Sequence, residues 1–191
     1  MNNTIALNKD IITSKTMNAV IGVLFFAFAT AFGAYIRIPI PGTPIPMTLQ
    51  TFFVALSGAV LGKKLGTLSQ ASYIFLGIMG LPVFQGYGFG AAYVFGPTGG
   101  YLAGFMASSF LIGRMLQKNA LNPYKIVFSF IAGNAALYSL GVAWLMVIYR
   151  VSFINAVTIG LMPFLAAEAV KIFAAAFIYH AIASRSKSIF S

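Results

Sequence analysis

The sequence contains no cysteine, one histidine and only two acidic residues, Asp10 and Glu168. The absence of cysteine excludes disulfides, iron–sulfur clusters and thiol catalysis. With a single acid in its hydrophobic body, the chain cannot pair two carboxylates for general acid–base work. His180 lies twelve residues from Glu168, or about 18 Å along a helix, so the two cannot share a metal or a proton. HExxH and GxSxG motifs are also absent, so the sequence predicts no enzyme.

Charge of either sign is scarce, because only 7% of the 191 residues are charged while 60% are hydrophobic. Soluble domains are about one quarter charged, so the composition predicts an all-α integral membrane protein. The length accommodates about six transmembrane helices of ~20 residues each. We predict a cytoplasmic N-terminal tail (1–16), a single six-helix transmembrane domain (17–184) and a cytoplasmic C-terminal tail (185–191).

The net charge of +10 does not indicate a nucleic-acid partner, because the bases are spread over predicted loops and tails as membrane topology places them. With six spans, Arg37 and Arg150 lie on one side and Lys171 lies within a span. Nine bases lie on the other side: Lys9, Lys15, Lys63, Lys64, Arg114, Lys118, Lys125, Arg185 and Lys187. The positive-inside rule therefore places both termini in the cytoplasm, and we expect a bacterial cytoplasmic (inner) membrane.

The first apolar segment, residues 17–36, admits two readings of its role. A small-residue cleavage site is suggested at Ala29-Thr30-Ala31, but the segment is long enough for a full span, which favours an uncleaved helix. Ala27 and Ala31 lie four residues apart, a spacing that allows close helix approach. That spacing serves either internal packing or docking of another membrane subunit, and composition does not choose between them.

Two stretches cannot be regular transmembrane helix. Residues 37–50 contain four prolines, which lack the amide donor and clash with the preceding helical turn. We predict an extended lid loop there, centred on Pro41, Gly42, Thr43 and Pro44. Residues 80–100 are rich in glycine and aromatic residues and carry no charge. Irregular backbone at membrane depth is tolerated where protein buries it or it lines a cavity, so this stretch predicts a pocket lining.

The last apolar helix carries the ionisable pair Glu168 and Lys171, three residues apart and therefore on one helix face. Ionisable groups inside a membrane segment are costly and usually mark a functional site. The predicted orientation places the pair in the outer half of the protein, beneath the two irregular stretches. A small binding protein with an outward-facing pocket fits best. A helix-locking ion pair without a ligand, and a small ion-coupled carrier or channel, are the alternatives.

Four strings of the sequence resemble the BioY family, the biotin-specific S-components of energy-coupling-factor (ECF) transporters. They are PMTLQTFFVALSGAVLG (46–62), LGTLSQASYIFLGIMGLPVFQG (65–86), GPTGGYLAGF (96–105) and MPFLAAEAVK (162–171). The resemblance implies a six-helix S-component bundle that captures biotin from outside and delivers it inward. It also implies an ECF transmembrane coupling subunit and a pair of ABC ATPases as partners, although some members are thought to work without the full module.

The acid–x–x–Lys of the family falls on Glu168 and Lys171. Here a glutamate stands where we expect aspartate, and Ala166-Ala167 stand where Pro-Gly is usual. The longer side chain moves the carboxylate by about one methylene. That shift alters affinity without changing the class of ligand.

The resemblance also implies roles for further residues. Glu168 would accept hydrogen bonds from the ureido N–H groups of biotin, while Lys171 neutralises Glu168 or contacts a ligand oxygen. Additional contacts are expected from Gln85, Asn134, Tyr93 and Tyr101, the two tyrosines walling the rings.

The resemblance implies that Ala27 and Ala31 lie where S-components contact their coupling subunit. The lid loop would close over bound biotin. An S-component for another small vitamin remains an alternative to a biotin protein.

Overall fold

The chain is helical over most of its length in the computed structural model, which describes residues 2–117 and 121–190. Lys118, one of the bases that set the predicted orientation, lies outside the described residues. The helices are α1 (Asn2–Tyr35), α2 (Gln50–Ile78), α3 (Ala91–Val94), α4 (Gly99–Leu116), α5 (Pro123–Tyr149), α6 (Phe153–Gly160) and α7 (Leu165–Phe190). Two short strands, β1 (Arg37–Ile38) and β2 (Met47–Thr48), pair antiparallel, and 3-10 turns lie at Gln85–Tyr87 and Met162–Phe164.

Four stretches of helix among the described residues are long and apolar enough to cross a membrane. They are Lys15–Tyr35, Gln50–Ile78, Pro123–Tyr149 and Phe153–Ser184. Large apolar side chains such as Phe25, Phe32 and Phe177 are more than half exposed on the outer surface of the bundle. In water such a surface is unfavourable, whereas lipid accommodates it. The helical, membrane-spanning class predicted from composition is therefore confirmed.

Helix α2 reverses direction at Gly62, whose φ of +77° is readily adopted by glycine. The side-chain amide of Gln50 donates to the Tyr73 hydroxyl at 2.7 Å. In a straight helix these residues would be about 35 Å apart. Helix α2 therefore consists of two antiparallel limbs. The limbs span residues 50–61 and 63–78.

A buried polar network joins the limbs of α2 to α1 and α4. The Gln70 amide donates to Ser57 at 3.0 Å and to Ser69 at 3.1 Å, and its carbonyl accepts from Thr30 at 3.2 Å. Ser57 also lies 3.0 Å from Ser109. Because all five side chains are inaccessible or nearly so, these bonds satisfy groups that would otherwise be costly to bury.

The loop between α1 and α2 is not helical, as its prolines predict. Strands β1 and β2 bring its ends together, with Arg37 opposite Thr48. The Leu49 amide donates to the Gly33 and Ile36 carbonyls at 3.1 Å, which fixes the loop to the end of α1. The loop is therefore an ordered hairpin whose second strand lies against the start of α2.

The start of the first helix differs from expectation. Helix α1 begins at Asn2, so the segment predicted as a polar tail continues the first helix. The link between the last two long helices contains a short helix, α6. Ser152 caps α6 by accepting from the Asn155 amide at 3.4 Å. A serine in this position satisfies an N-terminal amide that has no partner within the helix.

Candidate ligand-binding site

The two irregular loops, both limbs of α2, the first turns of α4 and α7 and the middle of α5 surround a small, partly open cavity of about 50 Å³. Its lining is Ile45, Pro46, Thr48, Gln50, Thr51, Tyr73, Gln85, Tyr93, Thr98, Tyr101, Leu102, Phe105, Leu137, Tyr138, Phe164 and Glu168. Both loops contribute, so the pocket lining predicted for residues 80–100 is present.

An ion pair between Glu168 and Lys171 forms one end of the site. The Lys171 ammonium also donates to the Thr48 carbonyl at 2.9 Å and to the Thr51 hydroxyl at 2.7 Å. Thr51 in turn donates to the same carboxylate oxygen, Glu168 Oε1, at 3.0 Å. This arrangement fixes the carboxylate from one side and leaves its second oxygen, Oε2, directed elsewhere.

Three buried polar atoms have no hydrogen-bond partner among the described residues, and all three belong to residues that line the cavity. They are Glu168 Oε2, Gln85 Oε1 and the Tyr93 hydroxyl. Buried polar groups are normally hydrogen-bonded, and leaving one unsatisfied costs about 1–3 kcal/mol. Two acceptors and one hydroxyl of the cavity lining thus have no protein group within hydrogen-bond distance. A ligand with complementary N–H and carbonyl groups would satisfy them.

Aromatic side chains form the walls. Tyr101 meets Tyr138 edge to face, with ring centroids 5.8 Å apart, and donates its hydroxyl to the Gly160 carbonyl at 2.7 Å. Tyr93 stacks on Phe84 with centroids 4.7 Å apart. Since the Tyr101 hydroxyl is already bonded, this residue offers the cavity a flat apolar face rather than a polar contact.

Four of the six predicted contact residues line the cavity: Glu168, Gln85, Tyr93 and Tyr101. Lys171 does not line the cavity, but it is ion-paired with Glu168, which does. Asn134 does not line the cavity but a neighbouring, mostly apolar groove between α5, α6 and α7, which shares Tyr138 and Glu168 with it.

The predicted lid and interface residues lie elsewhere. The lid's tip residues do not line the cavity, whereas Ile45 and Pro46, farther along the same loop, do. Ala27 and Ala31 are only 1% and 6% exposed and pack in the same buried cluster as Tyr73, Phe84 and Tyr101. In the isolated chain they serve internal packing, and a role in subunit docking stays a prediction.

Sequence reasoning missed Thr51, which bridges both members of the ion pair. Thr48 and Thr51 lie three residues apart on either side of Gln50, in an otherwise apolar segment. This cluster of polar side chains at the start of α2 is the signal that could have found them. Tyr73 and Tyr138 gave no such signal, because single aromatic residues in apolar helices usually serve packing.

The described part of the chain has no cluster of three His, Cys, Asp or Glu side chains that could hold a metal ion. The arrangement is thus a helical membrane bundle with a partly open pocket of polar and aromatic groups, suited to binding a small molecule. Its fold is similar to a solved structure described as the S-component for biotin from an ECF-type ABC transporter. The TM-score is 0.82 with 25% identity, covering 88% of this chain and 92% of that chain.

The BioY family model matches residues 4–188. The chain belongs to the BioY family. It is 41% identical to the "Biotin transporter BioY" of Thermotoga maritima, over 85% of this chain and 94% of that protein. It is 39% identical to the "Probable biotin transporter BioY" of Pyrococcus horikoshii, over 78% and 86%.

Proposed function

We propose that this protein is a membrane biotin-uptake protein that captures biotin from outside and delivers it inward. The observation that carries the proposal is the set of three unpartnered polar atoms, on Glu168, Gln85 and Tyr93, around one aromatic cavity. The named relatives and the S-component neighbour support the choice of biotin as the ligand.

The chemistry of biotin complements these atoms. Its ureido ring carries two N–H donors and a carbonyl acceptor, and Glu168 Oε2 and Gln85 Oε1 are both acceptors. Burial raises the pKa of Tyr93, so its hydroxyl stays protonated and can donate to the ureido carbonyl. The apolar thiophane ring would lie among the aromatic walls. No step in this scheme breaks a covalent bond, so these residues act in binding.

The reversal at Gly62 supports six membrane crossings. Each limb of α2 would cross once, although at 1.5 Å per residue the limbs are about 18 and 24 Å long, shorter than the ~30 Å hydrocarbon core. Together with α1, α4, α5 and α7 they make six. This count gives the nine-to-two distribution of bases, hence cytoplasmic termini and a pocket that opens outward. In a bacterium the membrane would be the cytoplasmic one.

Closure and delivery involve further parts of the chain. The hairpin 37–50 would act as the lid, since its Ile45 and Pro46 already line the cavity while Gly42 lies at its exposed turn. An ECF coupling subunit and a pair of ATPases would drive release inward. The description of the S-component neighbour, which comes from such a transporter, supports this.

Equilibrium binding of labelled biotin to the purified chain in nanodiscs tests the proposal. We expect saturable binding of one biotin per chain that unlabelled biotin displaces and riboflavin or thiamine does not. Binding of labelled riboflavin or thiamine by a chain that does not bind labelled biotin would assign a different S-component ligand. Ion flux into liposomes without biotin would favour a carrier or channel instead.

Thr51→Val is expected to weaken biotin binding by about 5- to 30-fold. The substitution keeps the shape of the side chain but removes the hydroxyl that holds both Lys171 and Glu168 Oε1. Bonds to charged groups contribute about 1.5–3 kcal/mol, and part of this is lost through misplacement of the carboxylate. Titration of Thr51→Val with Thr51→Ser as the matched control checks the result, and equal losses in both would contradict a role for the hydroxyl.

A further inference from the structure

Lys171 has no hydrogen left for a ligand. An ammonium carries three N–H donors, and those of Lys171 are directed at the Thr48 carbonyl, the Thr51 hydroxyl and Glu168 Oε1. The neighbouring Glu168 would repel an anion. If the protein binds biotin, as proposed above, the carboxylate of the valerate chain must therefore meet a cation elsewhere.

Arg37 lies next to residues that line the same cavity. It begins β1 and stands opposite Thr48, a lining residue, in the two-stranded ladder. Its guanidinium lies over Gly86, so closely that a methyl group on that glycine would be 2.6 Å from Nη1. Gly86 adopts a left-handed conformation (φ +69°) directly after Gln85, which lines the cavity. Glycine at this position thus allows the cation to lie beside the lining.

A second observation places the Arg37 charge near the cavity. Burial raises the pKa of Tyr93, and the positive charge of Arg37 is among the influences that oppose this rise. Gln85 and Tyr93, the two lining residues near the guanidinium, also carry two of the three unpartnered atoms. Among the described side chains the only carboxylate is Glu168, which is paired with Lys171. Arg37 is thus a cation without an acidic partner in the part of the chain that the structure describes.

We propose that Arg37 is a specificity-determining residue that binds the ligand's carboxylate at the mouth of the cavity. The site then has two ends of opposite character. Glu168 accepts N–H groups at the inner end, and Arg37 presents a planar pair of donors at the rim, a geometry suited to a carboxylate. The ligand class is therefore a molecule with N–H donors at one end, an apolar middle and an anion at the other. This inference rests on the proposed function.

Comparison of biotin with biotin amide, its neutral carboxamide, tests the proposal in nanodiscs. Arg37→Ala should weaken binding of biotin by about 10- to 100-fold and binding of biotin amide by less than about threefold. Arg37→Lys should recover part of the affinity for biotin, because it keeps the charge but loses the fork. Arg150→Ala, which removes the other base expected on the outer side, should leave both ligands unaffected.

The affinities for biotin and for biotin amide are measured on the same preparation of each variant. A general loss of folded protein would therefore lower binding of both ligands and would not produce the predicted difference between them. Equal weakening of both ligands by Arg37→Ala would overturn the proposal and show that Arg37 acts by holding the Gly86 turn. No weakening of either would also overturn it. Failure of the wild-type chain to bind biotin would instead contradict the proposed function, and this assignment with it.

Discussion

Glu168→Ala is expected to reduce biotin affinity by about 30- to 4000-fold. Truncating one partner of a buried, hydrogen-bonded charge pair costs about 2–5 kcal/mol, and each 1.4 kcal/mol is a tenfold change. The substitution removes the acceptor Oε2 that faces the cavity. It also leaves the Lys171 ammonium, only 12% exposed, without its counter-ion. Titration with labelled biotin measures the loss.

Glu168→Asp is the matched control, because it keeps the charge and shortens the side chain by one methylene. We expect it to stay within about tenfold of the wild type, since Thr51 and Lys171 can still hold a carboxylate there. The biotin affinity of Lys171→Met should be close to that of Glu168→Ala, because the substitution leaves the Glu168 carboxylate buried and without its counter-ion. Wild-type affinity in Glu168→Ala would place the site elsewhere.

Gly58→Val is expected to destabilise the fold severely without altering any residue of the cavity. A β-carbon at Gly58 would overlap the backbone carbonyl of Ser109 on α4. Backbone atoms cannot move aside as a flexible side chain can. Overpacking costs typically 1–3 kcal/mol, and we expect about 3 kcal/mol here, or a fall in Tm of about 6 to 12 °C. Thermal unfolding in detergent measures the change.

Ala103→Val is the control for Gly58→Val, because it places the same branched side chain on an exposed position of α4. It should leave the melting temperature nearly unchanged. Gly58→Ala should fall between the two. A melting temperature of Gly58→Val equal to that of the control would contradict the close contact between α2 and α4.

The ion pair shows how far sequence reasoning reaches into the site. Glu168 and Lys171 are the only oppositely charged residues close together in an apolar helix, so their pairing follows from helical periodicity, and the structure confirms it. The family assignment follows from contiguous strings such as GPTGGYL and is also confirmed. Both depend on residues that are near one another along the chain.

The partners of the pair could not be predicted in the same way. Thr51 is 117 residues from Glu168 in the sequence and meets it only because α2 packs against α7. Likewise, the family resemblance implied that Asn134 is a pocket residue. Because α5 packs between α4 and α7, the Asn134 side chain lines the neighbouring groove instead of the cavity.

By itself, the sequence determined that this is a helical membrane protein of the BioY family, with one ionisable pair in its last helix and an irregular proline-rich loop near it. These properties come from composition, local periodicity and backbone restrictions, which act within a few residues. Only the tertiary structure decided that Gly62 folds α2 back on itself, that Ala27 and Ala31 face inward, and that Arg37 reaches Gly86 next to residues that line the cavity. Such contacts arise from how the helices pack, and helix packing joins residues that no local pattern connects.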